Sequence, residues 1–206
     1  MSSPGKRSTI EMLGILSIFG VLTISGANIY TNAVYKYKSN KLITQINTIS
    51  SNIKTLYYAK NSYQGLDNEL IIKTESVPQE MYHKDDSSII KHAFGGEVII
   101  KDAQIPITSL ASNAYIIALK NLPRSACITA ATTNWEGNED KKLAAIYISG
   151  EDEDIKPIID NFEFELSANE NLGIPGDPSY GAPFSVNNAE YACSSKKDNT
   201  VIITYM

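Results

Sequence analysis

A single carboxylate, Glu11, stands directly before an uncharged stretch from Met12 to Tyr30 that reads MLGILSIFGVLTISGANIY. Drawn to the centre of a bilayer, such a carboxylate carries a penalty on the order of 3 kcal/mol. Left at the boundary it stays hydrated, which is the plain reading for an arbitrary protein. Other chemistry-bearing residues are sparse. Cys127 and Cys193 lie far apart with no C-x-x-C pairing, and His83 and His92 have no carboxylate or cysteine at triad or metal spacing. A tetrahedral metal site is therefore hard to assemble, and both histidines are expected at the surface without a role. The cysteines are either two buried thiols or one disulfide, a choice set by compartment. The run Glu151-Asp152-Glu153-Asp154 lacks the spaced ligands and turn glycine of a calcium loop and reads as a solvated acidic loop. There is no G-x-S-x-G elbow, no S-x-x-K with its partner motifs, no Walker loop and no placed G-x-G-x-x-G. Nothing argues for an enzyme or a cofactor.

The elements that must position Glu11 and the cysteines follow from composition and periodicity. With 206 residues, 43% of them hydrophobic, one globular domain plus an accessory segment is expected. A net charge of -5 without a Lys/Arg cluster argues against nucleic-acid binding. The uncharged stretch would be about 28 Å long as a helix, close to a bilayer core. Lys6 and Arg7 precede it, as in a secretory signal, but the run exceeds the usual apolar region and no A-x-A-like site ends it. A cleaved signal peptide is the runner-up.

The helix continues past Tyr30, because Leu42, Ile46, Ile49, Ile53 and Leu56 recur at helical spacing and give one apolar face. No proline interrupts the chain from Arg7 to Lys60, so one helix of about 50 residues, roughly 80 Å, is predicted over 7–60. Its lower half is expected to lie on a soluble domain and its upper half, the membrane segment 12–30, to protrude. Gly14, Gly20 and Gly26 in that half permit close helix packing or local melting. Tyr30, Tyr35 and Tyr37 sit where an interfacial aromatic belt belongs.

In the remainder, 61–206, turn residues Gly65, Pro78 and Gly95-Gly96 mark 61–96 as a connecting region with little helix. Glu97 to Ile100, Leu143 to Ile148 and Val201 to Tyr205 read as strands, whereas Tyr115 to Leu119 suits helix or strand. No regular alternation of strands with ten-residue helices is evident. The predicted class is thus α+β, an antiparallel sheet head packed on the amphipathic part of the long helix.

The basic leader, the Ser-Thr-Ile-Glu-Met-Leu-Gly segment at Ser8 to Gly14 and the long apolar helix together resemble the type IV prepilin signature. A subgroup resemblance, to the type IVb pilins, rests on Leu56-Tyr57, Ser62-Tyr63-Gln64-Gly65-Leu66-Asp67, Phe94-Gly95-Gly96-Glu97, Leu122-Pro123-Arg124-Ser125-Ala126-Cys127, Ile148-Ser149-Gly150-Glu151, Ala192-Cys193 and the terminal strand. It implies removal of a leader, residues 1–6, by a prepilin peptidase. A cut after Gly5 makes Glu11 the sixth mature residue, whereas a cut after Lys6, with Arg7 first, makes it the family's fifth. Many relatives also have a proline in the membrane helix that this chain lacks. By the resemblance, Glu11 pairs with a neighbouring subunit's new α-amino group and sets the filament register. The resemblance likewise implies that Cys127 and Cys193 form a disulfide bounding the variable region 127–193, for which chain entropy gives roughly 4 kcal/mol.

The implied function is a filament subunit, a single-pass inner-membrane precursor that joins identical subunits through the assembly machinery into an extracellular pilus for adhesion, aggregation, motility or DNA transfer. Methylation is among the expected modifications. The alternatives are a minor pilin or secretion-system pseudopilin, or a membrane-anchored monomeric adhesin. Lys6 and Arg7 on one side oppose Lys36, Lys38 and Lys41 on the other, so the resemblance and not charge counting places the head outside.

Overall fold

A helix laid on a sheet needs one apolar stripe, and the second half of the long helix supplies it. The computed structural model describes residues 9–60, 62–83, 86–103, 114–136, 143–149, 172–174, 181–194 and 198–206; for 9–11, 15, 16, 18–28, 83 and 86–88 it describes the backbone alone. The chain divides into two units, Met1–Asn40 and Lys41–Met206. Helix α1 spans Thr9–Tyr57, 49 residues, as the proline-free sequence predicts.

In the first unit, Met12, Leu13, Ile29, Tyr30 and Tyr37 of α1 are exposed. The Ser17 hydroxyl donates to the Gly14 carbonyl at 2.8 Å, which satisfies it inside the helix. Among the described residues no helix is long and apolar enough to cross a membrane. The apolar stretch 12–30 includes 15, 16 and 18–28, whose side chains lie outside the described set.

In the second unit, Leu42, Ile46, Ile49 and Ile53 of α1 are fully buried. Each contributes about 1.5–3 kcal/mol by leaving water. The predicted stripe is off by one residue at its end: Leu56 is exposed, and Tyr57, four residues after Ile53, is buried in its place. Tyr57 belongs to a ring cluster, with centroid distances of 5.4 Å to Tyr63, 4.7 Å from Tyr63 to Tyr115 and 5.1 Å from Tyr115 to Tyr205. The Tyr115 and Ser50 hydroxyls share a hydrogen bond of 2.8 Å that ties α1 to the sheet. Burial holds the Tyr115 and Tyr205 phenols well above their ordinary pKa, so both stay neutral.

The described strands are β1 (Tyr82–His83), β2 (Asp86–Lys91), β3 (Glu97–Ala103), β4 (Ala114–Leu122), β5 (Leu143–Ser149), β6 (Leu172–Gly173) and β7 (Asn199–Tyr205). They form one sheet in the order β1-β2-β3-β4-β7-β5-β6, every neighbouring pair antiparallel. The C-terminal strand β7 therefore lies inside the sheet, with Ile203 opposite Ile117 of β4 and Ile146 of β5. All of β7 and the first six residues of β4 are buried, which explains their unbroken apolar runs. That burial on both faces also resolves Tyr115 to Leu119 as strand.

Among the described residues the head has three short helices: α2 (Asn68–Lys73), α3 (Arg124–Thr132) and α4 (Val186–Ala192). The region 61–96 has little helix, as expected, but it is more than a connection, since it holds α2, a 3-10 turn at Gln79–Met81, β1 and β2. The Asp67 carboxylate starts α2 by accepting from the Leu70 N–H at 2.7 Å. Asn68 then joins it to β3, donating to the Val98 carbonyl at 2.9 Å and accepting from the Ile100 N–H at 2.8 Å. Gly65, at φ +80°, takes the left-handed turn before Leu66 and Asp67. Helix α3 buries Ala126, Cys127, Ala130 and Ala131 and packs on β4, β7 and α4.

Candidate assembly residues and the disulfide-bounded region

The residues expected to act in processing, Gly5, Lys6 and Arg7, lie outside the described residues, as does the acidic run Glu151 to Asp154. Glu11 falls in the first turn of α1, and its side chain lies outside the described set. The assembly role expected of it therefore rests on its place in the sequence.

The cysteines come together. Cys127, fully buried in α3, is bonded to Cys193, the residue that closes α4, with their Cα atoms 6.0 Å apart. Of the two readings left open by composition, the structure has the disulfide. Among the described residues no group of three His, Cys, Asp or Glu side chains is placed to hold a metal ion.

Two residues that sequence reasoning passed over flank this bond. Arg124, in the first turn of α3, donates to the Glu190 carbonyl at 2.9 Å and the Cys193 carbonyl at 3.3 Å, satisfying acceptors at the end of α4. Buried Asn199 accepts from the Ser194 N–H at 2.6 Å and donates to the Leu122 carbonyl at 3.1 Å and the Ser194 carbonyl at 3.3 Å. Arg124 stands in the quoted Leu122 to Cys127 motif, so its signal was present in the chain; Asn199 precedes an apolar run and gave none. On the outer side of α4, Val186 and Tyr191 are exposed.

His92 corrects the expectation of a surface residue: it is 3% exposed. Its Nδ1 accepts from the Phe94 N–H at 3.1 Å, which assigns the ring proton to Nε2, 2.8 Å from the Lys120 carbonyl. The turn from β2 to β3 closes with His92 N–H donating to the Gly96 carbonyl at 3.0 Å and Gly95 N–H to the His92 carbonyl at 2.7 Å. Gln45 on α1 accepts from the Ala93 N–H at 3.1 Å and anchors the turn. Both glycines of the Gly95-Gly96 pair are required here: Gly95 has φ +90°, and a Cβ on Gly96 would come within 2.0 Å of the Lys120 carbonyl oxygen. The side chain of His83, in β1, lies outside the described set.

Burial lowers the pKa of His92, against the opposing effect of its bond to the Lys120 carbonyl. Above the ordinary histidine value of about 6.5 the ring is neutral whether the head is folded or not. As pH falls through that value the unfolded chain takes up a proton that the folded head refuses, so stability is lost down to the lower, folded-state pKa. The urea midpoint at pH 5.5 is thus expected below that at pH 7.5. The difference should shrink in His92→Gln, whose amide can make both bonds without titrating. An equal drop in the variant would assign the effect to other groups.

Comparison with known proteins bears on what these parts assemble. The family model described as PilS N terminal matches residues 36–155. The major structural subunit of the bundle-forming pilus of Escherichia coli O127:H6 (strain E2348/69 / EPEC) is 28% identical over 144 residues, 70% of this chain and 71% of that one. Among solved structures, the type IVb pilin of Salmonella typhi has a TM-score of 0.50 at 14% identity, covering 80% of this chain and 97% of that one. TcpA, a type IV pilin of the Vibrio cholerae El Tor biotype, has a TM-score of 0.52 at 17% identity, covering 82% and 98%. At these identities the two structures speak for the fold alone.

Proposed function

The chain belongs to the PilS N-terminal family and is a type IVb pilin, and from that premise we propose that it polymerises as the structural subunit of an extracellular type IV pilus. The observation that carries this reading is the similarity to a major pilus subunit over 144 residues. The single helix α1, with a buried Leu/Ile face in its second half, supports it, because a mere membrane anchor needs no such amphipathic extension.

In this reading a prepilin peptidase removes residues 1–6, cutting after Gly5 or Lys6. The 12–30 segment holds the precursor in the inner membrane until the assembly machinery extracts it. Like helices then bury apolar surface against one another at about 25 cal/mol per Å². Each subunit meets the next by a heterologous contact that does not close, which generates an open filament. The Glu11 carboxylate governs register, and the head, 61–206, faces outward.

Antibodies raised against the head are expected to decorate filaments along their whole length in electron micrographs. Label confined to the tips would indicate a minor subunit. Label confined to the cell membrane would favour an anchored monomer.

A further inference from the structure

Beside the disulfide, the end of α4 is docked by contacts that do not involve sulfur. Asn199, with no exposed surface, makes three hydrogen bonds that join Ser194 to Leu122, while Arg124 holds the carbonyls of Glu190 and Cys193. At the start of the same segment, the Phe184 N–H donates to the Ala131 carbonyl at 3.0 Å and the Phe184 ring is buried. These bonds hold the backbone on both sides of each cysteine: Leu122 before Cys127 with Ala131 after it, Phe184 and Glu190 before Cys193 with Ser194 after it.

We propose that Arg124 and Asn199 are positioning residues for oxidation: they hold Cys193 against Cys127 in the folded, reduced head, so the disulfide forms on a frame already assembled. The chemistry is ordinary thiol–disulfide exchange. One cysteine thiolate attacks a small-molecule disulfide and expels one thiolate. The second cysteine thiolate then displaces the attached half, forming the Cys127–Cys193 bond. Two electrons and two protons leave the pair, and the reagent departs as two thiols. A frame that keeps the sulfurs together raises the effective concentration of the second thiol, and thus the equilibrium constant for oxidation.

The test uses the full-length chain in detergent micelles, equilibrated with glutathione and glutathione disulfide, then trapped with a thiol-alkylating reagent and weighed intact. Two charge-assisted bonds to carbonyls are lost in Arg124→Ala, and about a tenfold fall in the oxidation constant is expected. Arg124→Lys should lie between, since one ammonium does not reproduce the fork. Asn199→Ala should fall further; if it does not fold, Arg124→Ala, whose side chain is exposed, still decides the matter. In concentrated urea all variants should share the wild-type constant. The proposal is overturned if Arg124→Ala keeps the wild-type constant in native buffer while its urea midpoint drops equally in oxidised and reduced forms, since Arg124 would then support the fold without bringing the cysteines together.

Discussion

Replacing Glu11 by Ala is expected to remove filaments from the cell surface while the head keeps its urea midpoint and its disulfide. The cleavage proposed above would create an α-ammonium a few residues before Glu11, at the edge of a stretch with no charge of its own. When such helices pack together, an isolated carboxylate or ammonium among them is unfavourable, and in the proposed filament each would be compensated by the other across a subunit contact. Removing one member of a buried ion pair costs about 3–5 kcal/mol because its partner is left uncompensated. Per contact that is about a hundredfold or more in the assembly equilibrium, and a filament repeats the contact at every subunit. The core of the head is unaffected, because it is built from Leu42 onward. Subunit sheared from cells and collected by ultracentrifugation is the quantity to measure. Wild-type amounts from the Glu11→Ala strain would contradict this assignment.

Breaking the Cys127–Cys193 bond, by reduction or by the paired Cys127→Ser and Cys193→Ser substitutions, is expected to lower head stability by roughly 4 kcal/mol. The bond spans a sequence separation of 66 residues, so its loss frees a long loop in the unfolded chain. Against the 5–15 kcal/mol typical of a domain, a head weakened by that amount remains folded with a small margin. The hydrogen bonds of Arg124 and Asn199, with that of Phe184 to Ala131, remain to hold α4 in that state. Urea titration of the full chain in micelles, with and without reductant, reads the change directly. Coincident curves would mean the disulfide contributes nothing to the head.

Periodicity located α1 because helical spacing at Leu42, Ile46, Ile49 and Ile53 has one physical reading, burial of a stripe. It slipped at Leu56 because an aromatic ring at Tyr57 could fill the same place against Tyr63. The strands β3, β5 and β7 were visible as short β-branched runs, whereas Tyr115 to Leu119 was ambiguous for the reason that makes it central: burial on both faces erases the alternation. Helices α3 and α4 were missed, being short and dependent on packing against the sheet and each other. His92 was misplaced at the surface because its Nε2 partner, the Lys120 carbonyl, comes from 28 residues further along the chain, and its turn is anchored to α1 by the Ala93 N–H donating to Gln45. No local pattern announces such a site. The cysteine pairing was implied by resemblance alone, and the bonds that flank it, from Arg124 and Asn199, became legible only in three dimensions.

In the proposed function the chain is trimmed at its N-terminus and polymerised into an extracellular filament. Intact-mass measurement with N-terminal sequencing, on protein sheared from the cell surface under non-reducing conditions, tests it most directly. The account predicts a chain that begins at Lys6 or Arg7, recovered in filaments that sediment, with the mass of the Cys127–Cys193 disulfide. An unprocessed chain beginning at Met1, found in membranes and never in the sheared fraction, would contradict it and identify an anchored monomer.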